Sequence, residues 1–600
     1  MRELEENQSQ SAAEWLAQVR ELERRGEYLR AYDLARTGLE QYPHDRPLQY
    51  RSVLVLARSG ATNLARQHYQ HYQLADSDNE DYVALGARLS KDAALNEIGA
   101  KRVTKARIAA GEYESLFNAT GGHYPGINAA TLYLLSEDSD HACALACQII
   151  ETLDQLGPGE AGEQYYRLAS RAEALLILGR GEEAHSVLTH AFSLVEGDWA
   201  ALATTRRQLR LVCDLTGQEA ALLDAFLPPS VIHFCGHIIA PEGAGGRFIK
   251  SEETQVFQSI QAYFTECPGA IGYGSLAAGA DILIAEALLE SGGELHVALP
   301  FCLEDFIAVS VRPGGEEWVE RFHRCLSAAD SVRYATDDGY LGDDQLFTYC
   351  SHLAMGLAVL RSQYLEGSVS QLSVWDGEPA TTTVGTAHDR ESWRALGFPQ
   401  KTIVVQGGPG PRPQHDLPPQ DLVRVQRAML FGDIKGFSKL CDKQLPHFIE
   451  QILGQLAGVI EGFEDKISFL NTWGDGLFVV FEGVDDAAHC AMEMQRAMGE
   501  LSYSSEHLPK GLALRLGCHF GPIYKTEDPI LKIDNYFGAH VSRTARIEPV
   551  TPEGSVYVTE PFAAILALKQ DREFACDYVG NIPAAKGYGD LSMYLLHRPA

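Results

Sequence analysis

No stretch of the chain reaches the roughly 18 uninterrupted apolar residues that a membrane helix needs, so no membrane-spanning helix is expected. CxxC pairs are absent as well. The 12 cysteines are scattered singly, which suits neither a zinc site nor a disulfide framework and fits a reducing cytoplasm. Positive charge is scarce: 50 Lys and Arg face 81 Asp and Glu, for a net charge of -31. General binding to nucleic acid or to an anionic membrane needs a basic face and is therefore not expected. A nucleotide site is still allowed, because a few local cations and a metal suffice for it. The first residues, MRELEENQSQSAAEW, are polar and acidic, unlike a secretory signal. The expected location is cytoplasmic, with no nucleic-acid and no membrane partner.

At 600 residues, 45% hydrophobic and 22% charged, the chain has the composition of ordinary globular protein and is too long for one core. Three blocks are legible. Residues 1–227 read as successive helices, with Trp15, Leu16, Val19 and Leu22 at helical spacing, and again Ala172, Leu175, Leu176 and Leu178. Gly26 precedes Ala31 as Gly60 precedes Ala65, and the two pairs are offset by 34 residues, the tetratricopeptide period. Gly179 and Ala184 repeat the spacing. A glycine ends one helix, and a small residue lets the next helix approach closely. The block is predicted to be an all-α, tetratricopeptide-like repeat domain. Within it, Gly121-Gly122-His123-Tyr124-Pro125-Gly126-Ile127-Asn128 and Ala129-Ala130-Thr131 resemble a motif of the helical TRAFs-binding-type domain. That resemblance implies a regulatory solenoid with a protein partner. As an inter-helix turn the segment gives no reason to nominate His123 or Asn128.

Residues 230–406 change character. Val231–Phe234, Ala270–Tyr273, Leu295–Pro300, Leu372–Trp375 and Thr402–Val405 are short apolar runs alternating with helical stretches, one of them near 252–265. This alternation predicts an α/β domain with a parallel, doubly wound sheet. Ligands of such sheets sit at the carboxyl ends of strands, here at Gly236-His237 and Gly274-Ser275. Gly274–Asp281, Ala285–Leu288 and Leu295–Pro300, followed by Val374–Pro379 and Gly385–Ala387, resemble the Rossmann-like DprA/LOG (SLOG) superfamily. The resemblance implies a ligand-sensing domain that takes a small nucleotide-like molecule near Gly274–Asp281, with phosphate on backbone N–H groups at a helix N-terminus. The phosphoribohydrolase branch carries PGGxGTxxE. After Gly385-Thr386 this chain has Ala387-His388-Asp389, which favours sensing, or a purely structural domain, over glycosidic hydrolysis. Residues 407–420 hold five prolines and three glycines and are predicted to be a semi-rigid linker.

In residues 421–600 a strand from Arg427 runs into Asp433, then a turn at Gly436 and a helix. Ile467–Leu470, a tight turn at Gly474-Asp475-Gly476, and Leu477–Phe481 form a strand pair. Each aspartate thus lies at a strand end or hairpin tip beside glycine. Two carboxylates so placed suit a pair of hard ions, Mg²⁺ or Mn²⁺, about 3.5–4 Å apart.

The block resembles the class III adenylate/guanylate cyclase catalytic domain over nearly its whole length. Phe431–Leu440 follows FxDIxGFT/SxL, and Gly474-Asp475 is the GD turn. Leu514–Pro522 is similar to RIGxHxGP, Phe537–Arg546 to WGxxVNxAxR, and Lys586–Leu591 to KGxGxL. The resemblance implies an α+β, ferredoxin-like fold that closes an NTP into a 3′,5′-cyclic nucleotide and pyrophosphate. It places two metal ions on Asp433 and Asp475, with the carbonyl of Ile434 as a further ligand. Arg546 would stabilise charge at the α-phosphate and Lys586 would hold the terminal phosphates. The family divides these roles between subunits, which implies a C₂ homodimer with two composite sites. Base reading falls on Asn471, where adenylate cyclases carry Lys and guanylate cyclases Glu, and on Asn535. The ribose-orienting Asn is replaced by Ser542. An amide both donates and accepts, so ATP is the leading substrate, with GTP or a pyrimidine NTP as alternatives. A non-catalytic nucleotide-sensing scaffold is the alternative from another class.

Overall fold

A computed structural model describes residues 10–77, 79–157, 159, 161–337, 339–379, 384–407, 423–501, 508–569 and 573–599. The linker expected at 407–420 lies, apart from Gly407, outside these residues, as does most of the polar N-terminal stretch.

The N-terminal region is a run of helices: α1 (Ala12–Arg24), α2 (Tyr28–Gln41), α3 (Arg46–Ser59), α4 (Thr62–His71), α5 (Glu80–Leu95), α6 (Gly99–Thr120), α7 (His123–Leu135), α8 (Ser139–Gln155), α9 (Ala161–Ile177), α10 (Gly181–Phe192) and α11 (Trp199–Thr216). Their ends follow local chemistry. Ser11 and Glu14 form a reciprocal capping box at the start of α1, and the Asp45 carboxylate accepts from the Leu48 N–H, 2.9 Å away, to open α3. Gly60 closes α3 with φ of 95°, a conformation cheap only for glycine. Ala31, Ala65 and Ala184 are completely buried, as close helix pairing requires.

Among the described residues, the middle region holds six strands: β1 (Val231–Gly236), β2 (Ile271–Gly274), β3 (Glu294–Leu299), β4 (Ser331–Tyr334), β5 (Val369–Trp375) and β6 (Gln400–Val404). All pair in parallel, in the order β4-β3-β2-β1-β5-β6. Helices α12 (Glu253–Glu266), α13 (Ala280–Glu290), α14 (Glu316–Ala328), α15 (Gln345–Leu365) and α16 (Thr386–Ala395) connect them. The expected parallel sheet is present, and β4 is added to it. Strand order reverses between β1 and β5, the place where a crevice opens above the carboxyl ends. Helix α15 is buried on nearly every side, the mark of a helix packed between layers.

The C-terminal region is one eight-stranded sheet: β7 (Val423–Lys435), β8 (Ile467–Trp473), β9 (Gly476–Phe481), β10 (Ala513–Glu527), β11 (Asp534–Phe537), β12 (Val556–Thr559), β13 (Ala575–Pro583) and β14 (Asp590–His597). Its helices are α17 (Gly454–Glu461), α18 (Val484–Leu501), α19 (Ala539–Thr544) and α20 (Glu560–Ala567). Strands run β13-β14-β12-β10-β7-β9-β8, with β11 on β10, and of these pairs only β10–β12 is parallel. Side chains alternate across the long β7–β10 ladder. Ala428 and Leu430 join the core under α18, while Met429 packs on the opposite face with Phe478, Val480, Ile523 and Tyr536. The helix expected directly after Gly436 is a short 3₁₀ turn, Phe437–Lys439; the longer helical stretch begins at Leu445.

The three regions pack together. Asp33 of α2 accepts from the Tyr578 hydroxyl at 2.6 Å, Arg25 bridges Glu294 at 2.9 Å and Asp330 at 2.6 Å, and Arg333 meets Glu560 at 2.9 Å. Among the described residues, no helix is long and apolar enough to cross a membrane.

Candidate active site

Asp433 lies two residues from the end of β7, directly opposite Arg515 on β10. Arg515 Nη2 is 2.5 Å from Asp433 Oδ2 and 2.8 Å from Glu548 Oε1. Asp475 occupies the tip between β8 and β9, where Gly474 (φ 70°) makes the reversal. Burial raises its carboxyl above the ordinary value, and the negative charge of Asp433 raises it further. Burial pushes Glu548 up to about 7; Arg515 opposes this, and Asp433 and Asp475 add to it. Asp433 and Glu548 therefore share one guanidinium, and Asp475 adds a third carboxyl beside Asp433, so carboxyls outnumber the guanidinium at this surface. That is the electrostatic signature of a cation site.

The adjoining cavity has a volume of about 530 Å³ and is lined by Asp433, Ile434, Asp475 and Arg515, with Lys439 and Lys510 at its walls. Hard carboxylate and carbonyl oxygens match what Mg²⁺ or Mn²⁺ requires, so the donor set fits such ions. Gly436 (φ 94°) turns the chain back immediately after β7, which brings Phe437 and Ser438 to the cavity rim.

The other predicted residues lie outside the lining of this cavity. Arg546 and Lys586, 40 positions apart in sequence, are brought together because the Ala585 N–H donates to the Arg546 carbonyl at 3.2 Å. Lys586 is exposed and adopts φ 61°, unusual for a residue with a side chain. Ser542 is exposed on α19. Asn535 is turned into its own hairpin: its Nδ2 donates to Asp528 Oδ2 at 2.9 Å and its Oδ1 accepts from the Tyr536 N–H at 2.7 Å. Asn471 is exposed on β8, which reaches β11 through the Phe469–Tyr536 ring contact at 5.9 Å. None of Arg546, Lys586, Ser542, Asn535 or Asn471 lines the cavity at Asp433 and Asp475. Sequence reasoning gave no role to Arg515 or Glu548. A charged residue inside the apolar run Leu514–Cys518 was the available signal for the first.

A larger cavity, of about 730 Å³, opens at the carboxyl ends of β1, β2 and β3 in the middle region. Gly279 (φ 106°) begins α13 there, and a Cβ on it would lie 2.5 Å from the Ile239 nitrogen. Gly385 (φ 92°) begins α16. Both helix N-termini, Ser275 and Arg247 border the space, and Phe306, Tyr340 and Phe347 give it an aromatic wall. Gly274–Asp281, the predicted ligand segment, thus contributes Ser275, Ala277 and Asp281 to the lining.

Asp389 also lines this cavity, and burial pushes its carboxyl up to about 7, partly offset by the Ser351 hydroxyl. The folded state then holds this proton more tightly than the unfolded chain. Its contribution to stability falls as pH rises from about 4 through about 7, by up to on the order of 4 kcal/mol. The melting temperature of the wild type should fall between pH 5 and pH 8 by several degrees more than that of Asp389→Asn. Scanning fluorimetry of the two proteins at both pH values checks this, and parallel slopes would refute it.

Against known families, residues 424–598 match the Adenylate and Guanylate cyclase catalytic domain, and residues 27–133 match the Tetratricopeptide Repeats-Sensor family. The C-terminal region is a catalytic domain of the adenylate/guanylate cyclase type, and it follows a tetratricopeptide-like sensor region. A Rhizobium meliloti (strain 1021) protein named "Putative adenylate cyclase 3" is 27% identical over 164 residues, 26% of this chain and 26% of its own length. A kinase/receptor-named protein of Acanthamoeba polyphaga mimivirus is 26% identical over 132 residues, 19% of this chain and 8% of its own. The chain therefore spans about a quarter of the first of these curated relatives and less than a tenth of the second. Among solved structures, the adenylyl cyclase CyaB from P. aeruginosa is 17% identical, with a TM-score of 0.27, covering 30% of this chain and 98% of its own. The guanylate cyclase domain of RhGC from Catenaria anguillulae is 16% identical, with a TM-score of 0.25, covering 29% and 97%.

Proposed function

We propose that residues 421–600 convert an NTP, ATP first among them, to a 3′,5′-cyclic nucleotide and pyrophosphate, under the control of the 1–227 repeat region and a Rossmann-like, SLOG-type 230–406 region. The observation that carries this reading is the meeting of Asp433 and Glu548 at Arg515, with Asp475 beside Asp433, at an open cavity, inside a cyclase catalytic-domain match. Asp433 and Asp475, with the Ile434 carbonyl, would hold two Mg²⁺ or Mn²⁺ ions. When bound, these ions would supply charge neutralisation to the triphosphate and lower the pKa of the attacking 3′-hydroxyl.

The chain's own groups do the rest of the positioning. Arg515, Lys439 and Lys510 at the cavity walls are placed to meet phosphate oxygens. Arg546 would stabilise charge on the α-phosphate as pyrophosphate leaves, an electrostatic task worth several kcal/mol in comparable sites. Lys586 would hold the terminal phosphates, Asn471 and Asn535 would read the base, and Ser542 would orient the ribose. Arg546 and Lys586 do not line the aspartate cavity of their own chain, which fits a homodimer in which each site draws on two chains. The exposed side chains of Leu470, Trp473, Ile530, Leu531, Ile533 and Phe537 on and around β8 and β11 supply the apolar face such a dimer needs. Upstream, a small nucleotide-like ligand would enter the 730 Å³ cavity near Gly274–Asp281, and a protein partner would bind the helical repeats.

The test is incubation of the full-length protein with Mn²⁺ and ATP, GTP, CTP or UTP in turn. A cyclic product with equimolar pyrophosphate from at least one NTP, stopped by a chelator, is expected. No product from any of the four would leave the nucleotide-sensing scaffold as the function.

A further inference from the structure

Helix α15 touches all three regions, and its faces are specialised. Tyr349, Leu353, Gly356 and Leu360 recur at spacings of four, three and four, so they form one stripe. This stripe carries the cyclase region. The Tyr349 hydroxyl donates to the Phe520 carbonyl of β10 at 3.1 Å, and its ring stacks edge-on to His540 at 5.7 Å. Gly356 is pressed against α20 so closely that a Cβ would lie 2.2 Å from the Ala564 carbonyl oxygen. On the other side, Phe347, Cys350, Ser351 and Ala354 line the 730 Å³ cavity, and the Ser351 hydroxyl meets Asp389 across it. Met355, Ala358 and Val359 sit on the sheet with Val231 and Ile271. At the C-terminal end, the buried guanidinium of Arg361 donates to the Gly26 carbonyl and, at 2.7 Å, to the Arg25 carbonyl, and it pairs with Glu27 at 3.1 Å.

We propose that α15 is the coupling element by which a ligand in the middle-region cavity, and the set of the repeat region at Arg361, control the cyclase. A rigid helix packed closely on its remaining sides moves as a unit. A ligand that shifts Ser351 or Ala354 therefore shifts Tyr349 and Gly356 on the opposite stripe. Those residues bear on β10 and α20 by direct contact. β10 is the strand that also holds Arg515 against Asp433, so displacement at Phe520 reaches the candidate active site along one continuous strand. The ligand this cavity fits is a ring-bearing small molecule, whose ring lies on Phe306, Tyr340 and Phe347 and whose anionic end faces the N-termini of α13 and α16 and Arg247.

This inference rests on the reading of the C-terminal region as a regulated cyclase, and the experiment separates the two. Ser351→Trp places an indole in the cavity as a stand-in occupant. In the full-length protein, amide hydrogen exchange over residues 560–567 should then change at least threefold relative to wild type. Adding Tyr349→Phe, which removes the hydroxyl bond to Phe520, should at least halve that response. Should Ser351→Trp lose its circular dichroism signal, Ser351→Leu is read in the same way. Unchanged exchange over 560–567 in the folded cavity variant overturns the relay. Loss of the cyclase reading shows separately, as absence of cyclic product from every NTP, and the exchange result stands without it.

Discussion

Asp433→Ala should lower the rate of pyrophosphate release by at least about 10³-fold, a loss of about 4 kcal/mol in transition-state stabilisation. The side chain has two tasks in this structure. It is one of two carboxylates facing the cavity, and it is the partner of Arg515 at 2.5 Å. Removing it takes away the proposed metal ligand and releases Arg515 towards Glu548, which already sits at 2.8 Å. The fold should survive, because Asp433 is about a third exposed and the β7–β10 ladder is held by backbone pairing from Val423 to Lys435. Unchanged sedimentation and circular dichroism, together with lost turnover, distinguish a site effect from unfolding. Activity within tenfold of wild type would remove Asp433 from the chemistry.

The second large effect concerns the apolar face. Trp473, 52% exposed, stands next to the Asp475 tip and contacts Phe431 at 5.9 Å, with Leu470 and Phe537 also exposed nearby on β8 and β11. A charge placed in the centre of such a face when two chains meet over it costs several kcal/mol, because a carboxylate loses its water without gaining a partner. Trp473→Asp should therefore be monomeric by analytical ultracentrifugation at concentrations where wild type is dimeric. Its turnover should fall by about 10²-fold or more. Thermal stability of the single chain should move little, since half-exposed positions away from the core usually change stability by about 0.5 kcal/mol. A monomer with full activity would contradict the shared site.

What the sequence made legible follows from which signals are local. The repeat region announces itself through Gly26 with Ala31 and Gly60 with Ala65, because helix ends and close helix pairing each demand a particular residue type at a fixed offset. Asp433 and Asp475 were legible for the same reason: glycines beside them mark turns at strand ends. The parallel sheet was legible from apolar runs such as Val231–Phe234, whose strands are buried on both faces. Other features lack a local mark. β4 has four residues, alternately half-buried and exposed at the sheet edge, too few to show a period. Helix α15 is buried on nearly every side and mixes polar residues such as Thr348, Ser351 and Arg361 among its apolar ones, so it shows no clean apolar stripe to read. Glu548 matters only because Arg515, on a distant strand, reaches it. Such a pair exists in the fold and not in any window of the sequence.

Each active site is proposed to be divided between two chains. Purified Asp433→Ala and Arg546→Ala proteins, each inactive alone, can be mixed, left to exchange subunits, and assayed for cyclic nucleotide from the NTP that the wild type uses. Random pairing puts half the chains in heterodimers, each with one intact composite site, so activity should recover to about a quarter of the wild-type value. A mixture that forms heterodimers, shown by differentially tagged chains, and yet stays inactive would contradict it.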